Sequence, residues 1–495
     1  MQEKTVDTNA NGSRIRSYFR ERMALKPPVL EDPRLLDPKI KSGIVACISL
    51  VACTGGFSST IYFPGIPYVT ADLNAPPIAT TLTAALFILF MGIMPVVWAS
   101  ISEHFHVRRI IFLVAMVIYS ASSLGAAFVQ NIWVLVVLRC IQSMGVSSGQ
   151  SVGSGYISDL YPIEQRGAAF GKYMFGAVFG PLLGPILGGL LTMSSMGWRA
   201  TFWFCFSFGI FIFIITFLFT PETFRDEAKF EQQLPIFEKD SNSQLSTRTT
   251  VSDVPDTKTI DNNDIDKEVL PKKRFNPFKP FGLLRHPFIF MVALTGGFFF
   301  GAMFATETIL PSAFEKTYGL NSWQTGLCYL GAGIGNICGT FVGGRLSDRL
   351  LLRSRRLRGG IPRCEDRLTA NIWAAGLFCV PLGCLIFGWV VEYKLSFWGA
   401  IVGFGIQCFG NMQVMSTCTA YLVDAVPGRG SSVTAATGFV RMTLSCVLTV
   451  VATPMVQALG AGWTCTLFAC LSWVGMLLLF ILKIYGEPIR SWSGF

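Results

Sequence analysis

The chain has 495 residues, of which 51% are hydrophobic and only 14% charged, with a mean hydropathy of +0.50. That charge is too sparse to cover soluble domains of this total length, and 13% aromatic content excludes disordered and collagen-like chains. A polytopic membrane protein remains, for which the formal net charge of +10 matters through where it falls, not as a sign of nucleic-acid binding.

Residues 1–42 are polar and read as a cytoplasmic tail with no cleavable signal, so the first span is expected to target the chain. A hydrocarbon core of roughly 30 Å takes about 20 mostly apolar residues to cross. Six such segments lie near 43–64, 79–101, 110–130, 132–156, 167–192 and 200–220, giving an N-terminal six-helix bundle over 43–220. Residues 221–287 follow, with 12 acids, 11 bases and runs such as Ser241–Asn242–Ser243. They read as a disordered cytoplasmic linker whose hydroxyls permit phosphorylation. Six more segments lie near 288–311, 323–346, 369–391, 396–422, 430–458 and 462–485, a C-terminal bundle over 288–485, before a tail over 486–495. The runs are long and continuous, which predicts helices and not barrel strands.

Basic residues orient the chain. Nine fall in the first 42 residues, eleven in 221–287, and eight arginines in 345–367. This places both termini and the linker in the cytoplasm. The 14 cysteines are irregularly spaced and mostly within spans, there are three histidines, and no CxxC or Cys/His pattern occurs. No disulfide framework, metal site or cofactor is expected. Without a His-box or paired acids, an enzyme is not expected either.

The halves repeat. Tyr156-x-x-Asp159-x-x-Pro162 ends the fourth span and Tyr421-x-x-Asp424-x-x-Pro427 the tenth; Gly197–Trp198 precedes the sixth and Gly462–Trp463 the twelfth. All five pairs are separated by 265 residues. Ser102–Glu103 and Ser347–Asp348 form a weaker match after spans two and eight. Six spans per half make this a parallel repeat, with a pseudo-two-fold axis along the membrane normal.

Three patterns carry more chemistry. Span five holds Gly176-x-x-x-Gly180-Pro181-x-x-Gly184-Pro185-x-x-Gly188-Gly189, whose four-residue spacing makes one smooth face for close helix packing. Span four holds Arg139-x-x-Gln142-x-x-Gly145. A charge near a helix centre costs about 2.5–3.5 kcal/mol on insertion scales, so Arg139 either serves function or holds neighbouring helices through their carbonyls. Gly344-Arg345-Leu346-Ser347-Asp348-Arg349 follows span eight, and Glu103 with Arg108 stands in the matching stretch after span two.

These patterns resemble the major facilitator superfamily over about 43–485, and among its members the fungal twelve-span drug:proton antiporters of the quinidine-resistance, dityrosine-exporter and short-chain-acid-exporter branch. The resemblance implies an all-α polytopic fold of 12 transmembrane helices in two six-helix bundles. It makes the span-five glycines and prolines the antiporter motif, at a tight interface that rocks. It makes Arg139 and Gln142 the proton-transfer motif, with Ser143 where a glycine usually follows. It makes Gly344, Asp348 and Arg349 a latch in the family's conserved cytoplasmic loop, matched in the first half by Glu103 and Arg108, where His106 replaces the family's turn glycine. Pro362-Arg363-Cys364-Glu365-Asp366-Arg367-Leu368, Gly388–Trp389 and Phe439-Val440-Arg441 are similar to the branch's pattern.

Polar residues within spans mark where cargo and protons can bind. Glu307 is the only acid inside a predicted span, about four residues from its outer end before Pro311. It can carry a proton, pair with a cationic cargo, or simply face external water. Gln407 and Asn411 share a face of span ten, and Arg441 lies mid-span, which suits a polar or anionic cargo or a packing role. Tyr62 and Trp98 can stack on flat cargo. Span one carries no acid, so a proton would use Glu307, Asp159 or a loop acid. The expectation is a monomeric, proton-coupled antiporter that exports a drug or metabolite across the plasma membrane, with a vacuolar or other internal membrane as the alternative location. An importer or facilitator of the same fold, or a transporter-like sensor, are the alternatives.

Overall fold

A computed structural model describes residues 32–225, 279–357, 359, 364–368, 373–426 and 430–494. The first 31 residues and most of the predicted linker, including Ser241–Asn242–Ser243, therefore lie outside the described residues. So does the side chain of Asp348 in the predicted latch.

Helix α1 (Pro38–Thr60) starts where Asp37 accepts the Lys39 N–H at 2.8 Å. Pro38 fills its first turn, where a missing N–H costs nothing. The chain turns through Phe63–Gly65 into α2 (Ile66–Asp72), which completes the first span. Then come α3 (Pro77–Phe105) and α4 (Arg109–Ala127). The fourth span is α5 (Ile132–Val146) with α6 (Ser148–Leu160). Next are α7 (Ile163–Thr192), which stays helical through Pro181 and Pro185, and α8 (Arg199–Phe219).

The second half holds α9 (Pro287–Tyr318), then α10 (Ser322–Cys328) with α11 (Leu330–Leu357). A π-helical turn at Ala374–Cys379 leads into α12 (Val380–Glu392), followed by α13 (Phe397–Ala425). The last element, α14 (Gly430–Trp492), is two helices divided at Gly460, whose φ of 83° and ψ of 168° leave the helical region. Glu392 restarts the second of them by accepting the N–H groups of Ala461 at 2.7 Å and Gly462 at 3.2 Å. Among the described residues, ten segments are long and apolar enough to cross a bilayer. With the last one divided at Gly460 and α13 of equal length added, twelve membrane-length helices stand in two six-helix bundles among the described residues. Val117, Phe211, Phe378 and Phe480, on the third and sixth helix of each bundle, expose their side chains as lipid-facing residues do.

Several boundaries differ from those read in the sequence; the first span, read as 43–64, runs from Pro38 to Asp72. Helix α9 passes through Pro311 and continues to Tyr318, so Glu307 sits eleven residues before its end instead of about four. Helix α11 continues to Leu357, so Gly344–Arg349 belongs to a helix and not a loop. Arginine and leucine are strong helix formers, and nothing in 345–357 interrupts them. The twelfth span runs to Trp492 instead of about 485.

The bundles meet where α3 packs on the first helix of α14 and where α7 packs on α10 and α11. Thr81 and Thr453 share a hydrogen bond of 2.8 Å, Ser322 donates to the Pro64 carbonyl at 3.2 Å, and Phe63 stacks on Tyr329. All of these bridges lie at the end of the molecule that carries the turns after α1 and α9.

Candidate functional site

The Arg139 pattern ties four spans together. Arg139 is 1% exposed. Its Nη1 donates to the Ser58 carbonyl of α1 at 3.1 Å and to Gln142 Oε1 at 2.7 Å. Gln142 Nε2 in turn donates to Ser123 Oγ of α4 at 2.7 Å. The guanidinium lies over the rings of Tyr62, at 4.8 Å, and Phe87, at 4.2 Å. Nε and Nη2 have no partner, and no carboxylate pairs with this cation among the described residues. The three-residue spacing is what lets Gln142 reach both Arg139 and α4. Ser143, standing where the resembling family has a glycine, donates to the Phe87 carbonyl of α3 at 2.6 Å. At Gly145 a Cβ would stand 2.6 Å from the Ala115 carbonyl oxygen, which explains the glycine. Tyr62 is thus a ring beneath Arg139, and Trp98 donates its Nε1 to the Met144 carbonyl at 2.8 Å. Tyr62 is 1% exposed, whereas Trp98 also lines a cavity with Ile101, Phe105, Val107 and Ile111.

A second polar centre lies between α9 and α13. Glu307 is 3% exposed, and its Oε2 has no hydrogen-bond partner. Tyr329 donates its hydroxyl to the Glu307 backbone carbonyl at 2.6 Å. One turn inward, Asn411 Nδ2 lies 3.1 Å from Met303 Sδ, and its Oδ1 is unpartnered. The two helices run antiparallel, so this register sets Gln407 level with Glu307. Both polar atoms of Gln407 are buried without partners. Groups of this kind are normally satisfied, and three residues with unpartnered buried polar atoms stand close together here. The reading of Glu307 as a residue facing external water does not fit its burial.

The third centre is Arg441, whose guanidinium lies 4.6 Å from the Phe300 ring centroid. Its nearest polar contact is Met415 Sδ at 3.8 Å.

The repeated Asp anchors an arginine in each half. Asp159 accepts from Arg108 Nε at 3.1 Å, and Arg108 also donates to Ser102 Oγ at 2.8 Å. Asp424 accepts from Arg367, which likewise precedes the third helix of its bundle. Arg490 adds a two-pronged pair with Glu365, at 2.9 and 3.1 Å. Arg108 therefore pairs inside its own bundle. Glu103 and Arg349 are exposed. His106 takes the left-handed conformation, φ 54°, that a turn glycine adopts easily. Asp159→Asn should lower stability by about 3 kcal/mol, since it strands a mostly buried guanidinium. A drop in the melting midpoint of the solubilised protein checks this; an unchanged midpoint would show the pair to be idle.

Glu222 is a residue that the sequence reading missed. Its carboxylate accepts from the N–H groups of Arg108 and Arg109, capping α4 at 2.9–3.1 Å. A signal existed: Glu222 and Glu487 are separated by the same 265 residues as the other repeated pairs.

The span-five ladder packs on backbone. A Cβ at Gly176, Gly180, Gly184 or Gly188 would come within 2.0–2.9 Å of carbonyl oxygens of Ser49, Cys53, Phe57 or Ile61 in the first span. Pro181 packs on Gly56 of the same span. The next face, Leu182, Pro185 and Gly189, meets Gly333, Gly326 and Ser322 of the other bundle. One helix thus binds its own bundle with one face and the opposite bundle with another.

Comparison with known proteins agrees with this architecture. The family model of the Major Facilitator Superfamily matches residues 48–448. The chain is 27% identical to the MFS antiporter QDR3 of Candida albicans, over 94% of this chain and 80% of that protein. It is 30% identical to the MFS transporter fsa7 of a Fusarium species, over 90% of this chain and 84% of that protein. Among solved structures, a bacterial homologue of the human lysosomal transporter Spinster, inward-facing and unoccupied, superposes with a TM-score of 0.65 at 15% identity, covering 92% of this chain and 99% of that one. A D-xylose–proton symporter gives 0.63 at 15% identity, covering 88% and 97%.

Proposed function

The chain belongs to the major facilitator superfamily, and on that premise we propose that it is a proton-coupled antiporter that exports a small organic molecule across the plasma membrane by alternating access. It is a multi-pass membrane transporter and not an enzyme. In this reading both termini and the linker are cytoplasmic, the bundles over 43–220 and 288–485 rock as units in a monomer, and the described state opens inward.

The observation that carries the reading is Glu307. A carboxylate buried in the membrane without a cation costs several kcal/mol unless a proton neutralises it. Its unpartnered oxygen, beside the unpartnered Gln407, supports a site that takes up a proton from outside and releases it inside. Arg139 and Gln142 couple that exchange to the first bundle, while Gln407, Asn411 and Arg441 face cargo. Glu103, Arg108, Gly344, Asp348 and Arg349 serve as the cytoplasmic latch when the bundles tilt the other way. The QDR3 likeness, an antiporter by name, supports the direction of the reading.

The test is transport in sealed vesicles under an imposed pH gradient, with a panel of organic acids, cations and amino acids. Collapsing the gradient should stop export. Glu307→Gln should reduce the gradient-driven rate at least about tenfold while cargo still binds. Export that is indifferent to the gradient overturns the antiport reading, and wild-type coupling in Glu307→Gln removes this residue as the proton carrier.

A further inference from the structure

Arg441 lies eleven residues into α14, about 16 Å along the helix, close to the middle of the span. A guanidinium at that depth calls for a counter-charge. None is present among the described residues: its contacts are the Phe300 ring and the Met415 sulfur, and its Nε has no partner. The membrane carboxylate Glu307 stands seven residues beyond Phe300, about 10 Å further along α9.

Beside the cation there is room. Three residues earlier on the same helix, the position a Gly438 Cβ would occupy has no heavy atom within 4 Å. At Gly296, by contrast, a Cβ would meet Met415 Cε at 3.3 Å and Arg441 Cδ at 3.6 Å, so the thioether and the arginine stem close over that glycine. The helical turn sets Gly438 between Arg441, which faces α9 and α13, and Met442, whose Cβ packs on Gly92 of the first bundle. The opening therefore lies at the seam between the bundles, where a cargo in contact with both would sit.

We propose that Arg441, Phe300, Met415 and the space over Gly438 form an anion-recognising cargo subsite, which takes a small organic anion with an apolar aromatic body. The guanidinium fork matches a carboxylate or a comparable delocalised anion in two bonds. The aromatic ring and the flexible thioether accept an apolar body of variable shape. This rests on the reading of the chain as an exporter of organic molecules and names the charge class of its cargo; it does not depend on proton coupling.

The experiment measures equilibrium binding to the full-length protein in lipid nanodiscs, without any gradient. The probes are 1-naphthylacetate, 1-naphthylacetamide and 1-naphthylethylammonium, which share one apolar body and differ in charge. The anion should bind at least about tenfold more tightly than the amide or the ammonium, the difference of one charge-assisted contact. Arg441→Met should erase that preference, and Arg441→Lys should keep part of it. Gly438→Leu should weaken the anion by filling the space, since a Cβ there meets no heavy atom within 4 Å; an unchanged melting midpoint confirms that the variant folds. Equal binding of the three probes, no binding by any of them, or an anion preference that survives in Arg441→Met overturns the proposal. Because no gradient is applied, these results stand apart from success or failure of the antiport test.

Discussion

Gly180→Leu is expected to give no folded transporter, whereas Gly171→Leu on the same helix gives it in normal yield. The contrast comes from what each new side chain meets. At Gly180 even a Cβ would lie 2.6 Å from the Cys53 carbonyl oxygen and 2.8 Å from the Phe57 nitrogen. Both are backbone atoms of a buried helix, so neither can rotate away, and the two helices must separate. Overpacking a tight core costs about 1–3 kcal/mol where side chains can adjust, and more where they cannot. Separation at Gly180 also loosens Gly176, Gly184 and Gly188, since all four lie on one face. At Gly171 nothing stands within 4 Å and the residue is exposed. Fluorescence-detected size exclusion of tagged membranes would show the difference. A monodisperse Gly180→Leu peak with the parental melting midpoint would mean that the ladder is not a fixed seam.

Arg139→Met should uncouple function from stability. The native cation is held by neutral groups only, namely a carbonyl, an amide and two rings. Replacing an incompletely paired buried charge by an apolar side chain of similar length is neutral or stabilising. The melting midpoint should therefore hold or rise. Gradient-driven export should nevertheless fall by at least about tenfold, because the positive charge at the meeting point of four spans is gone. A purely structural arginine predicts the opposite pair of results, lower stability with transport surviving in whatever folds. Full coupled transport in Arg139→Met would remove this residue from the mechanism.

Much of the fold can be read from the chain because a bilayer allows so few solutions. Long apolar runs have to be helices, and basic flanks have to choose a side. The 265-residue repeat marked Asp159 and Asp424, and each anchors an arginine ahead of the third helix of its bundle. The depth of Glu307 was not readable in this way. A proline in a polar-flanked stretch looked like the end of a span, yet α9 continues to Tyr318 because the packed neighbours absorb the missing hydrogen bond. The arginine-rich segment after span eight looked like a loop, since charge ends an apolar run, but charge does not end a helix.

Composition and pattern along the chain are enough to specify a helical membrane protein of two repeated halves with charges stranded in its interior. Local composition is enough for that, since the cost of each residue in hydrocarbon depends on its own chemistry. What those charges and glycines do was decided only by the tertiary structure. Arg139 meets a carbonyl 81 positions away, Gly180 meets the Cys53 backbone, and Gln407 stands level with Glu307. Partners of this kind are selected by helix register and burial, which bring together residues that no local pattern relates. The +10 net charge shows the same division, because its position orients the chain while only packing reveals that, among the described residues, Arg139 and Arg441 have no carboxylate beside them.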